Sequence, residues 1–102
     1  MAFVGGYSGH VKLCQAFFKL RLNRNVEILD VSSHLASPGL VGAELANVGY
    51  VCVDGLDHNI SALNAARMDK IYRNYILGKV DQRSGSIPVN DESYDVILMA
   101  GK

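Results

Sequence analysis

The sequence predicts an α/β fold in which helices cover a parallel β-sheet. Two observations predict it. Four short segments are rich in Val, Ile, Leu and Tyr, as strands are, and three further segments carry the apolar spacing of amphipathic helices. Strands that alternate with helices form right-handed βαβ units, whose strands run parallel. The 102 residues, taken as a single unit 1–102, are enough for one small domain or part of a larger one.

The four predicted strands lie at 26–31, 50–53, 74–80 and 94–100. The first, second and fourth are apolar on both faces, which is typical of central strands covered by helices on each side. The third contains Asn74, Gly78 and Lys79, so we expect it at an edge of the sheet.

The three predicted helices lie at 11–22, 39–48 and 59–71, where apolar side chains recur every three or four residues. Gly49 is a suitable C-cap for the second helix. The interval 81–93 has no such pattern and is interpreted as a loop. Asp91, Glu92 and Asp95 precede the fourth strand, so we interpret them as turn and capping groups.

Composition excludes several classes of protein. Ten basic and ten acidic side chains cancel, so the chain lacks the charge that binding to nucleic acid or an anionic membrane requires. No apolar run approaches the ~18 residues of a membrane helix, and the N-terminus lacks the basic start of a signal peptide. Cys14 and Cys52 lie in separate apolar segments and are interpreted as reduced core thiols. We therefore expect a cytoplasmic protein.

A ligand site is predicted where the strands end, because open parallel sheets bind ligands beyond the carboxyl ends of their strands. A loop of mostly small residues follows the first strand, from Ser32 and Ser33 to Gly39, and its N–H groups could approach a ligand. The second strand leads into Asp54 and Asp57, and an acid there can accept hydrogen bonds from ribose hydroxyls. Together, the loop and the acid indicate a nucleoside pocket.

Several segments resemble a known family. They are DVSS at 30–33, GLVGAEL at 39–45, GY at 49–50, DGLD at 54–57, YR at 72–73, IP at 87–88 and DESYDVI at 91–97. They resemble motif I and later segments of class I S-adenosylmethionine-dependent methyltransferases, most closely the methyltransferase-like 27 (Williams–Beuren region) group. The resemblance runs from about residue 7 to residue 101.

The resemblance implies a Rossmann-like fold and S-adenosyl-L-methionine as the cofactor, with an acceptor of the methyl group that the sequence does not specify. It implies Asp57 on the ribose and the loop 32–39 near the methionine moiety. An acid after the third strand would meet the adenine; Asp81 is the candidate, while Lys79 and Gln82 compete for that position. The candidate cofactor-binding residues are Asp30, Ser32, Ser33, Gly39, Asp57, His58 and Asp81.

The chain departs from the family in two respects. Where the family has Gly-Thr before Gly39, this chain has the five residues 34–38, which lack a glycine and end in Ser37-Pro38, a pair typical of a helix start. The family also has seven strands, against four predicted here. The fourth, which begins at Tyr94 and ends at Ala100, would then have an open edge through which the chain could associate. A truncated, non-catalytic methyltransferase-like protein that acts through protein contacts is therefore the alternative.

Each candidate also has a plainer interpretation. Asp57 could instead cap the helix that begins near Asn59, and Asp54 is expected to be structural. Gly39 and Gly42 could serve only the packing of helix against strand.

His34 and His58 fall on the ligand side, where a general base is conceivable. A metal site needs three or four convergent ligands, which the sequence does not supply. A nicotinamide dinucleotide site needs G-x-G-x-x-G directly after the first strand, and that motif is missing there.

Overall fold

The computed structural model describes residues 2–8, 10–31, 40–78 and 93–101. Its elements are β1 (Ala2–Ser8), α1 (His10–Phe18), β2 (Ile28–Val31), α2 (Leu40–Val48), β3 (Val53–Asp57), α3 (Ile60–Met68), β4 (Asn74–Leu77) and β5 (Val96–Gly101). All neighbouring strands pair parallel, in the order β1-β5-β2-β3-β4. The predicted Rossmann-like α/β class is confirmed, as is the position of the third predicted strand, β4, at an edge.

The first strand, β1, was not predicted from the sequence. Its sequence, AFVGGYS, contains two glycines, which have low strand propensity. It pairs with β5 from Ala2 opposite Val96 onward, with an irregularity between Gly5 and Tyr7. Because β2 pairs with the other side of β5, the predicted open edge at 94–100 is wrong. The expected association through that edge loses its structural basis.

The second predicted strand is displaced along the chain. It was expected at 50–53, but β3 begins at Val53 and ends at Asp57. Tyr50 is instead a core residue of the connection before β3. Its ring packs edge-on against Phe17 at 5.0 Å, and its hydroxyl donates to the carbonyl of Leu22 at 2.7 Å. The tyrosine that suggested a strand therefore anchors the turn after α1.

Apolar side chains form one core on each face of the sheet, because successive strand residues point to opposite faces. Helices α1 and α2 contribute Leu13, Phe17 and Leu45 to the first core, where they pack against alternate strand residues such as Ile28 and Leu98. The second core lies on the opposite face and contains Leu29, Val31, Leu56, Tyr94 and Ile97. Burying each large apolar side chain contributes roughly 1.5–3 kcal/mol.

A network of polar side chains connects strands β2, β3, β4 and β5 near their amino ends. Buried Asp54 accepts hydrogen bonds from Arg73 Nε (2.9 Å), Tyr94 Oη (2.8 Å) and Asn74 Nδ2 (3.1 Å). Arg73 also pairs with Glu27 at 2.8 Å. Burial raises the pKa of Asp54, but these hydrogen bonds outweigh it and hold the pKa below its usual value. The structural interpretation of Asp54 is confirmed.

The structure also bears on the predicted roles of Asp95 and of the two cysteines. Asp95 accepts a hydrogen bond from the backbone N–H of Glu27 at 2.9 Å, as a turn group does. Cys14 is buried, Cys52 is half-buried, and both are free thiols. Across the described parts of the chain, no helix is both long and apolar enough to cross a bilayer.

Candidate cofactor site

Two of the predicted acids, Asp30 and Asp57, lie on the same face of the sheet. Strands β2 and β3 are neighbours, and Asp30 is in register with Gly55. Asp57 lies two residues further along β3, so it points to the same face as Gly55 and Asp30. Both carboxylates are buried, with 4% and 7% exposure. The topology thus brings the two acids together toward the carboxyl ends of adjacent strands.

Asp30 is held by a tyrosine from a distant segment. The hydroxyl of Tyr72 donates to Asp30 Oδ2 at 2.5 Å. Burial raises the pKa of Asp30 to about 6, the hydrogen bond from Tyr72 opposes that rise, and the negative charge of Asp57 adds to it. Asp30 is therefore an acid whose charge state changes just below neutral pH.

The ring of Tyr72 lies between two glycines. A Cβ added to Gly55 of β3 would lie 2.5 Å from Tyr72 Cδ2, and one added to Gly42 of α2 would lie 2.6 Å from Tyr72 Cε1. Both distances are far shorter than ordinary carbon–carbon contacts of 3.5–4.0 Å. Gly42 therefore serves close packing, as the plainer interpretation expected, and it packs against the side chains of Ile71 and Tyr72.

Asp57 is the last residue of β3, and its Oδ1 accepts the backbone N–H of Asn59 at 3.0 Å. The alternative role as helix cap is wrong, because Asn59 caps α3. Its Oδ1 accepts from the N–H groups of Ser61 (2.9 Å) and Ala62 (3.3 Å). An ionised carboxylate can accept about four hydrogen bonds, so one backbone bond leaves Asp57 with acceptor capacity for hydroxyl groups.

His58 is next to Asp57, with its Nδ1 3.6 Å from Asp57 Oδ1. That distance is too long for a hydrogen bond, and the imidazole is 49% exposed. Within the residues that the structure describes, no three His, Cys, Asp or Glu side chains are grouped to hold a metal ion.

The remaining predicted site residues are Ser32, Ser33, Gly39 and Asp81. All four lie outside the described residues, as do His34, Lys79 and Gln82. The assignments of the loop after the first predicted strand and of the adenine contact therefore stay predictions.

Two residues near the acids were not singled out by sequence reasoning. Tyr72 was used only for the family resemblance, and Cys14 was considered only as a core thiol. Burial, followed by the charges of Asp30 and Glu44, raises the pKa of the Cys14 thiol to about 11, so it is a neutral neighbour of the acids. A helix glycine and a strand glycine, Gly42 and Gly55, were the signal available in the sequence, since such glycines often mark a close approach.

The fold and the paired acids define the class of protein: a Rossmann-like α/β domain with two buried carboxylates toward one end of its sheet. No protein-family model matches the chain, and no curated protein matches it at a significant level. The methyltransferase family therefore enters below as a proposal.

Proposed function

We propose that the chain is the cofactor-binding part of an S-adenosyl-L-methionine-dependent methyltransferase, acting on an acceptor that the sequence does not specify. The observation that carries the proposal is the pairing of Asp30 and Asp57 on one face of adjacent central strands. The family resemblance at 30–33, 39–45 and 54–57 supports it, because these segments include both acids.

The chemistry of the donor set fits this cofactor. When bound, S-adenosyl-L-methionine supplies a methyl group activated by a sulfonium centre, and it carries ribose hydroxyls and an ammonium group. Asp57 would accept hydrogen bonds from the ribose hydroxyls. Asp30, ionised above about pH 6, would supply a buried negative charge opposite the cationic part of the ligand.

The protein's contribution in such an enzyme is positioning and exclusion of water rather than covalent chemistry. Asp30 and Asp57 are fixed by strands whose neighbours pair on both sides. Helices α1 and α2 cover the same face with buried side chains, among them Cys14 and Val41.

We place the function in the cytoplasm, since free cysteines are typical of reducing compartments.

Calorimetric titration of S-adenosyl-L-methionine into the folded chain tests the proposal. We expect saturable binding by the wild type, and binding about 10- to 100-fold weaker for Asp57→Asn, because its amide replaces an acceptor oxygen by a donor. The amide oxygen can still accept from Asn59, so the turn is kept. Asp69→Asn, which changes an exposed acid at the far end of α3, is the matched control and should bind as the wild type does.

The folded state is established in parallel by circular dichroism and size-exclusion chromatography. Lack of heat up to millimolar ligand, from protein that melts cooperatively, would refute cofactor binding and favour the non-catalytic alternative. Equal affinity of the wild type and Asp57→Asn would show that the ligand does not use this carboxylate.

A further inference from the structure

Among the described residues, two tyrosines donate to buried aspartates, one on each face of the sheet. Tyr94 donates to Asp54 at 2.8 Å, and Asp54 also has Arg73 and Asn74 as partners. Tyr72 donates to Asp30 at 2.5 Å, on the face that carries Asp57. The first pair belongs to the structural network near the amino ends of the strands, and the second belongs to the candidate site.

We propose that Tyr72 is a positioning residue of the cofactor site: its hydroxyl fixes the Asp30 carboxylate and keeps it charged for a cationic ligand. This inference rests on the proposed function. Tyr72 itself is not required to touch the ligand, because it acts through Asp30.

The side chain of Tyr72 is held at several points, so its hydroxyl cannot easily leave Asp30. Gly42 and Gly55 enclose the ring from the helix and from the strand. The backbone N–H of Tyr72 donates to Tyr75 Oη at 3.1 Å, and the two rings pack edge-on at 5.8 Å. A donor fixed in this way is preorganised, and ionised acceptors gain most from such donors.

The groups around Asp30 explain why this hydroxyl matters. Asp57 of β3 faces it with a like charge. Cys14 of α1 is a neutral thiol, which itself lies near Glu44 of α2. Burial and Asp57 both favour the protonated acid. The Tyr72 hydroxyl opposes them, so removing it should leave Asp30 uncharged over a wider range of pH.

The test is a titration with S-adenosyl-L-methionine at pH values from 5.5 to 8.5. For the wild type we expect affinity to fall as pH drops through about 6. Tyr72→Phe keeps the ring and removes only the hydroxyl, so we expect the midpoint of its profile to rise by about one pH unit or more. Tyr94→Phe removes the equivalent hydroxyl from Asp54 and is the matched control, with a wild-type profile expected.

Asp30→Asn provides a second variant in case Tyr72→Phe does not fold. Asn can still accept from Tyr72 but cannot ionise, so we expect weak binding that does not change with pH. Wild-type affinity and an unchanged profile in either folded variant would overturn the positioning role while leaving cofactor binding intact. Failure of the folded wild type to bind at any pH would overturn the proposed function, and this inference with it.

Discussion

Replacing Asp30 by Asn removes a charge that the fold buries, and the effect on stability should depend on pH. Asp30 is 4% exposed, and burial raises its pKa from 3.8 to about 6. The folded protein therefore binds this proton more tightly than the unfolded chain does. The contribution of Asp30 to stability is fully present below about pH 4 and is lost as pH rises through about 6.

The magnitude follows from the same two pKa values. At 1.36 kcal/mol for each pKa unit, a rise from 3.8 to about 6 corresponds to about 3 kcal/mol lost by the wild type at neutral pH. Asp30→Asn has no such titration. We therefore expect the difference in unfolding free energy between variant and wild type to shift by about 3 kcal/mol in favour of the variant between pH 4 and pH 8.

Urea unfolding followed by circular dichroism, at steps of half a pH unit, measures this difference. The change with pH is the diagnostic quantity, because an imperfectly placed amide would add a constant cost of about 1–3 kcal/mol at every pH. Asp69→Asn, at an exposed position, should give a nearly constant difference. A difference for Asp30→Asn that stays constant, or that moves in favour of the wild type as pH rises, would refute the reasoning.

Two further predictions concern packing and the polar network. Gly55→Ala should lower the unfolding free energy by about 1–3 kcal/mol, seen as a lower melting temperature, because its Cβ would overlap the Tyr72 ring; an unchanged melting temperature would contradict this close approach. Arg73→Ala should destabilise by about 1–3 kcal/mol at neutral pH, since it leaves buried Asp54 with fewer donors although Arg73 is itself 39% exposed. Because the pKa of Asp54 is lowered, the stability that its partners provide is present above its ordinary pKa and is lost as pH falls. The cost of Arg73→Ala should therefore shrink in strong acid, and a cost that grows there would show that the ion pair is not its source.

Much of the fold could be predicted because its signals are local. The three helices carry regular apolar spacing, and Val, Ile and Leu dominate β2 and β5. Strand β1 could not be predicted in this way, because its two glycines weaken the local preference and its pairing with β5 is a long-range contact. The start of β3 was predicted too early because Tyr50 was interpreted as a strand residue. Its ring instead packs in the core against Phe17, before the strand begins.

The candidate site, too, could be predicted from the sequence only in part. The rule that ligands bind beyond strand ends, taken together with the family resemblance, made Asp57 the candidate site acid, while Asp54 was expected to be structural. The role of Tyr72 depends on a side chain reaching an acid 42 positions earlier, through space left by Gly42 and Gly55. The spacing of residues within a segment does not predict such a contact, because the contact depends on how distant segments pack in the fold.

The pairing of β1 with β5 has a consequence for how the chain folds. Ala2 lies opposite Val96, about 94 positions later, so the first strand cannot pair until nearly all of the described chain exists. At translation rates of about 5–20 residues per second, β1 waits roughly 5–20 s for its partner. The two glycines that make β1 a poor strand by itself also make it a poor template for premature pairing during that interval. Closure of the sheet by β1 is then expected among the last steps of folding, after β2, β3 and β4 have assembled through their shorter connections.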